Sequence, residues 1–313
     1  MVRRITRILA LAPLGLAIAA SAPRPIDLPG DRLFPESVSI APNGTAYVAS
    51  LTGGVLRVNL ATRKVEPWIK PGAFGSGALF GVLADMRNKL VWTCTNDFTA
   101  RGVTVPGAEA GSWLKGFDIA TGEGKVSLAL PDKGAICNDM AVGKDGSVYV
   151  ADTGHPRILR WKPGAQALEI WIEDPALGSN GGLDGIAFGG DGHIYINNVR
   201  TGAFYRVAMD KAGKPGKVTQ LETSRPLVSP DGMRPMGGLN FALAEGQGGH
   251  VSRLTVKGDK VEVTNLAENI SSPTGVDLFK GTVWYVQGHV GALFNPSAPQ
   301  PALPFRLTPV PPR

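Results

Sequence analysis

Three stretches of the chain share one pattern: FPESVSIAPNGTAYVAS (residues 34–50), ICNDMAVGKDGSVYVAD (residues 136–152) and GLDGIAFGGDGHIYINN (residues 182–198). Each contains an alternating apolar run, a tight turn and a second apolar run. Alternation with a period of two is typical of half-buried strands, and Asn-Gly or Asp-Gly between two such runs is typical of a hairpin. The pattern therefore predicts a repeated pair of antiparallel strands.

Three weaker copies complete the series: LFGVLADMRNKLVWTCTN (79–96), SPDGMRPMGGLNFALAEG (229–246) and SPTGVDLFKGTVWYVQG (272–288). The residues in register in the six copies are Glu36, Phe80, Asn138, Asp184, Asp231 and Thr274. By subtraction they lie 44, 58, 46, 47 and 43 residues apart. Repeats of about 40–50 residues built from four short strands are typical of a β-propeller. Six copies predict six blades.

Further short apolar runs after each hairpin supply a third and a fourth strand. In the sixth copy only FRLTPV (305–310) follows as a third strand, and no fourth strand comes after it. PIDLPG (25–30) precedes the first copy as a fourth strand would, so we expect it to complete the last blade and leave no open edge there. The predicted fold class is all-β, a single six-bladed propeller of four-stranded blades over residues 24–313.

Composition agrees with many short strands and turns, since the 313 residues include 41 Gly and 25 Pro. Residues 1–20 read as a signal peptide, with three arginines followed by an apolar run and small residues. That run is interrupted by Pro13 and is shorter than the roughly 20 residues of a membrane span. We therefore expect a periplasmic or secreted protein, with no membrane attachment in its mature form.

Loss of residues 1–20 would remove three arginines and no acid, so the formal charge would fall from +6 to +3. This mild charge, without a basic cluster, does not indicate a nucleic-acid partner. A small-molecule substrate and a monomer are favoured.

Cys94 and Cys137 are the only cysteines. They could pair in an oxidising compartment or remain two buried thiols, and their number does not decide between these states.

Four oxygen-bearing side chains occupy the register positions: Glu36, Asn138, Asp184 and Asp231. The first strand of each propeller blade lines the central channel, so these residues should meet at the channel mouth. Three carboxylates there would repel one another, and no Lys or Arg occupies a register position. A hard divalent cation would neutralise them, and Ca²⁺ prefers such oxygen ligands. Polar residues at strand starts also commonly only cap turns, so one of them alone would indicate little.

The Glu of the first repeat, the Asn of CNDMAV, the PDGM of the fifth repeat and the strand ending DGSVYVADT together resemble one family. This is the senescence marker protein/gluconolactonase (regucalcin-like) family of six-bladed, metal-dependent propellers. The resemblance covers nearly the whole chain beyond the signal peptide. The chain is also similar, more distantly, to paraoxonases, squid-type phosphotriesterases and strictosidine synthase-like propellers.

The resemblance implies hydrolysis of a lactone with Ca²⁺, or another divalent cation such as Zn²⁺, Mn²⁺ or Mg²⁺. It implies Glu36, Asn138, Asp184 and Asp231 as metal ligands or metal neighbours, with the cation polarising the carbonyl and Asp231 activating water. Asp184 stands where the family pattern usually has Asn, so it adds a negative charge beside Asp231. Asp184 and Asp231 are therefore the candidate catalytic residues.

The ends of the second strands should lie on the same face as the register residues. From them we predict a substrate rim of Asn96, Asp152, His155, Asn198 and His289. Arg200 and Arg234 could meet an acidic substrate, although arginines on a rim are usually only solvated. Two long connections, residues 97–111 and 288–304, emerge on this face as surface loops or as a lid.

Other functions fit the same pattern. A non-catalytic propeller could use the ion only for rigidity while it binds a sugar or a protein. A phosphotriesterase or a metal-free, strictosidine synthase-like activity is also compatible, because a propeller fold hosts many functions.

Overall fold

The computed structural model describes residues 22–295 and 297–311. Six antiparallel sheets surround one axis, and each has at least four strands. The predicted all-β six-bladed propeller is confirmed. The predicted signal peptide, residues 1–20, lies outside the described residues. Within those residues, no helix is long and apolar enough to cross a membrane.

Strand β1 spans Ile26–Leu28. Blade 1 contains β2 (Pro35–Ile40), β3 (Thr45–Ser50), β4 (Val55–Asn59) and β5 (Val65–Ile69). Blade 2 contains β6 (Ala78–Asp85), β7 (Leu90–Asn96), β8 (Ser112–Asp118) and β9 (Gly124–Ala129). Blade 3 contains β10 (Cys137–Val142), β11 (Val148–Asp152), β12 (Arg157–Trp161) and β13 (Glu169–Glu173).

Blade 4 contains β14 (Leu183–Phe188), β15 (Ile194–Asn198), β16 (Phe204–Met209) and β17 (Pro215–Gln220). Blade 5 contains β18 (Glu222–Thr223), β19 (Pro230–Gly237), β20 (Asn240–Glu245), β21 (His250–Lys257) and β22 (Lys260–Ala267). Blade 6 contains β23 (Pro273–Phe279), β24 (Thr282–Gln287) and β25 (Phe305–Pro309). The short helices are the 3-10 turns Ala73–Gly75, Thr99–Arg101 and Pro175–Leu177 and the α-helix α1, Val290–Phe294.

Strand β1 closes the ring as the sequence predicts. It pairs antiparallel with β25 as the fourth strand of blade 6, with Ile26 opposite Leu307. Both of these side chains are buried in a core that blades 6 and 1 share. Apolar packing thus joins the beginning of the propeller to its last blade.

The stretch KVTQLET (217–223) at the outer edge of blade 4 is divided between two blades. Strand β17 ends at Gln220, and β18 starts at Glu222. Strand β18 pairs parallel with β22 of blade 5. Leu221 lies between these two strands, is 4% exposed and packs into the core that blades 4 and 5 share. The chain passes from one blade to the next at this residue.

The two cysteines form a disulfide between blades. Cys94 lies in β7 and Cys137 in β10, and their Cα atoms are 5.0 Å apart. The bond therefore ties the second strand of blade 2 to the innermost strand of blade 3. This resolves the alternative that the sequence left open.

Candidate functional site

All six register residues lie at irregularities of the innermost strands. Pairing between first and second strands shifts at the same place in every blade, a β-bulge or similar irregularity. The residues at these shifts are Glu36, Phe80, Asn138, Asp184, Asp231 and Thr274. Bulges re-aim side chains and are over-represented next to active sites. The sequence register therefore has a physical counterpart in the backbone.

The innermost strands stand side by side around the channel, each against the next, and the sixth lies against the first. Close backbone approach fixes the spacing of the register residues. A Cβ on Gly185 would lie 2.3 Å from the Asp231 carbonyl oxygen, and a Cβ on Gly275 would lie 2.8 Å from the Glu36 carbonyl oxygen. Only glycine fits so near another backbone. The six register residues, called the ring below, are therefore held close to one another in neighbouring blades.

In three blades, a residue other than glycine just before the ring has a left-handed backbone conformation. Phe34, Ser229 and Ser272 have φ values of 43°, 49° and 51°, each two residues before a register residue. Such conformations cost of order 1–3 kcal/mol each and cluster at functional sites. Tertiary packing therefore imposes the same turn into the channel in blades 1, 5 and 6.

Asn138 and Asp184 are joined by a buried hydrogen bond. The Asn138 Nδ2 donates to Asp184 Oδ2 at 2.8 Å and to Thr153 Oγ1 at 2.9 Å. The Thr153 hydroxyl in turn donates to the Leu183 carbonyl at 2.6 Å. Asp184 Oδ1 is buried without a hydrogen-bond partner among the described residues. An acceptor of this kind is costly to leave unpaired, so it marks where a cation or a donor would be stabilised.

Glu36 and Asp231 complete the acidic group. Glu36 is 5% exposed, and Asp231 is half-buried with Oδ1 accepting from the Gly232 amide at 2.9 Å. Burial raises the pKa of Asp231 to about 7, against the hydrogen bonds from Gly232 and Asp184. Burial, followed by the Asp231 charge, holds the pKa of Glu36 and of Asp184 well above its usual range. Burial and mutual repulsion therefore disfavour full ionisation of this acidic group.

The donor chemistry of this group fits a hard cation. Among residues 22–295 and 297–311, no three His, Cys, Asp or Glu side chains already form a metal-ligand cluster. The fit rests instead on two observations. The charges of Asp231 and Glu36 add to burial in raising the pKa of Asp184, and Asp184 Oδ1 has no hydrogen-bond partner. Asn138 directs Nδ2 to Asp184, and a half-turn of the amide would present its oxygen. Metal ligation by these four residues therefore remains a prediction.

Arg234 lies buried below the ring and not on the rim, where the sequence places it. The Arg234 guanidinium donates to Asp139 Oδ2 at 2.6 Å and to the Val82 carbonyl at 3.0 Å, which links blades 5, 3 and 2 across the channel. Arg234 is 4% exposed, so the interpretation of it as a rim residue is wrong. No basic residue occupies a register position, but the positive charge of Arg234 partly offsets the rise in the pKa of Glu36 that burial causes.

A simple signal could have found this arginine. Arg234 lies three residues after Asp231, and Asp277 lies three residues after Thr274. The positions three residues beyond the ring all line a cavity of about 450 Å³ formed by the six innermost strands: Ser39, Leu83, Ala141, Ala187, Arg234 and Asp277. A second layer of the channel therefore follows the ring in sequence.

Three predicted rim residues hold the backbone of loops. Asn96 exchanges hydrogen bonds with the Cys137 backbone at 2.8 and 3.0 Å, and Asp152 accepts from the Ile136 and Gly154 amides at 2.9 Å each. Asn198 donates to the Gly181 carbonyl at 3.0 Å. All three are at most 1% exposed. Their polar atoms are thus engaged in tying second strands to the entries of first strands.

The two rim histidines have different surroundings. His155 is 29% exposed, and its Nδ1 lies 3.0 Å from Asp152 Oδ2, which also accepts from Arg157 Nε at 2.8 Å. Burial lowers the pKa of His289, which packs 6.3 Å from the Phe305 ring centroid. His289 also borders a cavity of about 350 Å³ in blade 6. Substrate contact by either histidine stays a prediction.

Asn197 contacts the ring, whereas its neighbour Asn198, the predicted rim residue, bonds the backbone of a loop. Its Nδ2 donates to the Asp231 carbonyl at 2.7 Å, and its Oδ1 is buried without a partner among the described residues. A second unpartnered oxygen therefore lies beside Asp231. The sequence offered no reason to prefer it over Asn198.

Comparison with known protein families identifies the family of this chain. The profile of the family described as "SMP-30/Gluconolactonase/LRE-like region" matches residues 34–278, well over half of the chain. The chain is therefore a member of the SMP-30/gluconolactonase/LRE-like family. A search of curated proteins finds no match.

Solved structures with similar folds include proteins with different activities. A putative gluconolactonase aligns with a TM-score of 0.63 at 13% identity, covering 93% of each chain. A calcium-binding protein, regucalcin from Agrobacterium tumefaciens, aligns with a TM-score of 0.62 at 17% identity, covering 92% of this chain and 94% of that one. Virginiamycin B lyase from Staphylococcus aureus, solved with quinupristin, aligns with a TM-score of 0.58 at 15% identity, covering 84% and 94%. At these identities the likeness concerns the fold alone.

Proposed function

We propose that this protein is a divalent-metal-dependent hydrolase that opens a lactone or a similar cyclic ester. The observation that carries the proposal is the acidic ring: two buried carboxylates, one half-buried carboxylate and an amide at equivalent strand irregularities of a gluconolactonase-family propeller. A serine nucleophile elbow is not apparent in the sequence, so a water molecule is the expected nucleophile.

Asp231 is the expected general base. It is the one ring carboxylate that is only half-buried, so water and substrate can approach it. Burial raises the pKa of Asp231 to about 7 without a cation, and a bound cation would lower it, so the carboxylate that accepts a proton from water is available near neutral pH. The Gly232 amide holds Oδ1, which leaves Oδ2 to accept the proton.

Asp184 and Asn138 orient this base and its substrate. The Asn138 amide donates to Asp184 Oδ2 at 2.8 Å and fixes this carboxyl group. Burial, followed by the charge of Asp231, raises the pKa of Asp184, so the two carboxyl groups influence each other across the channel. Positioning of this kind lowers the cost of orienting the reacting groups.

Glu36, Asn138, Asp184 and Asp231 would hold the cation, and Ca²⁺ is the favoured ion because every donor is oxygen. Zn²⁺, Mn²⁺ and Mg²⁺ are the alternatives. When bound, such an ion supplies a Lewis acid that polarises the ester carbonyl. The regucalcin neighbour, described as calcium-binding, supports Ca²⁺.

The protein is further proposed to act as an exported monomer on a small molecule. Its disulfide supports an oxidising compartment such as the periplasm or the extracellular space. Export would be tested by expressing the full chain in a bacterium and sequencing the N-terminus of the recovered protein. Recovery only of uncleaved, cytoplasmic protein would oppose this part of the proposal.

A lactone panel followed by pH-stat titration tests the hydrolase proposal. We expect turnover by the wild type and its loss in Asp231→Asn, while Asp145→Asn, a change at a turn outside the ring, keeps full activity. An ion-binding protein without turnover on any ester would favour the alternative, a non-catalytic propeller that binds a sugar or a protein.

A further inference from the structure

We propose that the substrate carries an apolar substituent, which binds against a wall formed by Phe80, Phe98 and Phe294. This inference rests on the proposed lactone hydrolysis and names the substrate class. It predicts alkyl- or aryl-substituted lactones rather than polyhydroxylated sugar lactones. These three residues are called the aromatic wall below.

The first member of the aromatic wall belongs to the ring itself. Phe80 occupies the register position of blade 2, between those of Glu36 in blade 1 and Asn138 in blade 3. Its side chain is partly exposed. A ligand at the ring carboxylates would therefore have an aromatic side chain, not a polar one, next to it on this side.

Two long connections bring the other members to Phe80. Phe98 lies in the connection 97–111 of blade 2, with its ring 5.2 Å from that of Phe80 in an edge-to-face arrangement. Phe294 lies in α1, within the connection 288–304 of blade 6, and its ring is 5.8 Å from that of Phe98. Leu293 and Val103 pack into the same cluster. Phe98, Leu293 and Val103 are each at most 8% exposed, so they support the aromatic wall from behind, and Phe80 and Phe294 are its partly exposed members.

The connection that carries Phe98 is pinned to the scaffold. The Asp97 amide donates to the Gly111 carbonyl at 2.8 Å, and the Glu109 amide donates to the Gly75 carbonyl at 2.9 Å. Lys115, fully buried, bonds Glu109 Oε2 at 3.1 Å. A wall held in this way is preformed, so a ligand does not have to order it on binding.

The polar residues of the rim point to the same substrate class. A polyhydroxylated ligand needs several free donors and acceptors, yet Asn96, Asp152 and Asn198 already bond the backbone. Among the described residues, the buried side-chain oxygens without a hydrogen-bond partner are Asp139 Oδ1, Asp184 Oδ1 and Asn197 Oδ1, and each lies in or beside the ring. Polar recognition is therefore concentrated at the reacting group, and the remainder of the ligand meets carbon.

The test is a series of γ-lactones with side chains from none to six carbons, compared with glucono-δ-lactone. We expect kcat/KM to rise about two- to fourfold per methylene over the first few carbons, as burial of each methylene predicts. Phe80→Ser should flatten this dependence, and Phe294→Leu, which keeps an apolar side chain, should reduce it only partly. The matched control is Phe74→Leu, because Phe74 packs against Phe117 away from the ring.

A flat dependence in the wild type, or a preference for glucono-δ-lactone, would overturn the aromatic wall while leaving lactone hydrolysis intact. An unchanged slope in Phe80→Ser would do the same. If no lactone is hydrolysed, calorimetric binding of unreactive γ-alkyl lactams separates the two proposals. Affinity that rises with chain length in the wild type but not in Phe80→Ser would keep the wall, and affinity independent of chain length would overturn it.

Discussion

Removal of the buried Arg234 charge should destabilise the protein strongly. In Arg234→Met the apolar bulk remains, but the 2.6 Å contact with Asp139 and the 3.0 Å contact with the Val82 carbonyl disappear. Asp139 is 3% exposed, so its carboxylate would be left in the channel without a cation. Its charge already disfavours ionisation of Glu36 and Asp231, and the repulsion would no longer be offset.

The expected loss is about 3–5 kcal/mol in the free energy of unfolding, the usual result of breaking a buried pair by removing one partner. The matched control is Arg306→Met. Arg306 pairs with Asp27 at the outer edge of blade 6, where the two side chains are 51% and 64% exposed. Loss of such an exposed pair costs about 0–1 kcal/mol.

Urea unfolding followed by tryptophan fluorescence measures both effects, and a double-mutant cycle with Asp139→Asn isolates the pair. The double variant should lose less stability than the sum of the two single variants, because neutralising Asp139 relieves the unpaired charge. Stability of Arg234→Met within about 1 kcal/mol of the wild type would refute this reasoning. Strict additivity in the cycle would refute it as well.

Three further predictions concern the ring and the disulfide. Because only the carboxylate of Asp231 accepts a proton, kcat/KM should rise with pH to a plateau, with a midpoint below the pKa of about 7 that Asp231 has without a cation, since a bound cation favours the carboxylate; Asp231→Asn should lower kcat/KM at least about 100-fold, and a profile that falls with rising pH would exclude this base. Glu36→Gln should weaken Ca²⁺ binding at least about tenfold, roughly 1.4 kcal/mol, and equal affinities by calorimetry would remove Glu36 from the ligand set. Replacing Cys94 and Cys137 by Ser opens a loop whose ends are 43 residues apart; the loss should be about 4 kcal/mol in thermal or urea unfolding, and an unchanged unfolding midpoint would show that the bond does not constrain the unfolded chain.

The blades and their register could be predicted because one physical pattern repeats. Alternation with a period of two defines the strands, and Asn-Gly or Asp-Gly turns mark the hairpins. The same register predicts that Glu36 and Asp231 lie at the channel mouth, and the structure places both at irregularities of the innermost strands. Completion of blade 6 by Ile26–Leu28 followed from counting strands and avoiding an open edge.

Contacts between blades could not be predicted in the same way. Cys94 and Cys137 meet because β7 packs beside β10, and their separation in sequence carries no sign of it. The register could have indicated that Arg234 lines the channel, but its partners Asp139 and Val82 belong to other blades, and nothing in the sequence points to them. Asn96 and Asp152 look like ligands in sequence, whereas the folded loops consume their oxygens as hydrogen-bond acceptors.

The most direct test of the account is Ca²⁺ binding by the purified protein after chelator treatment, with lactone hydrolysis followed in the same sample. We expect one ion to bind at the ring, to release protons because the pKa values of the ring carboxyls are raised, and to restore hydrolysis that the chelator abolishes. Full hydrolysis in the chelated protein, or no bound ion, would contradict the proposal of a metal-dependent lactonase.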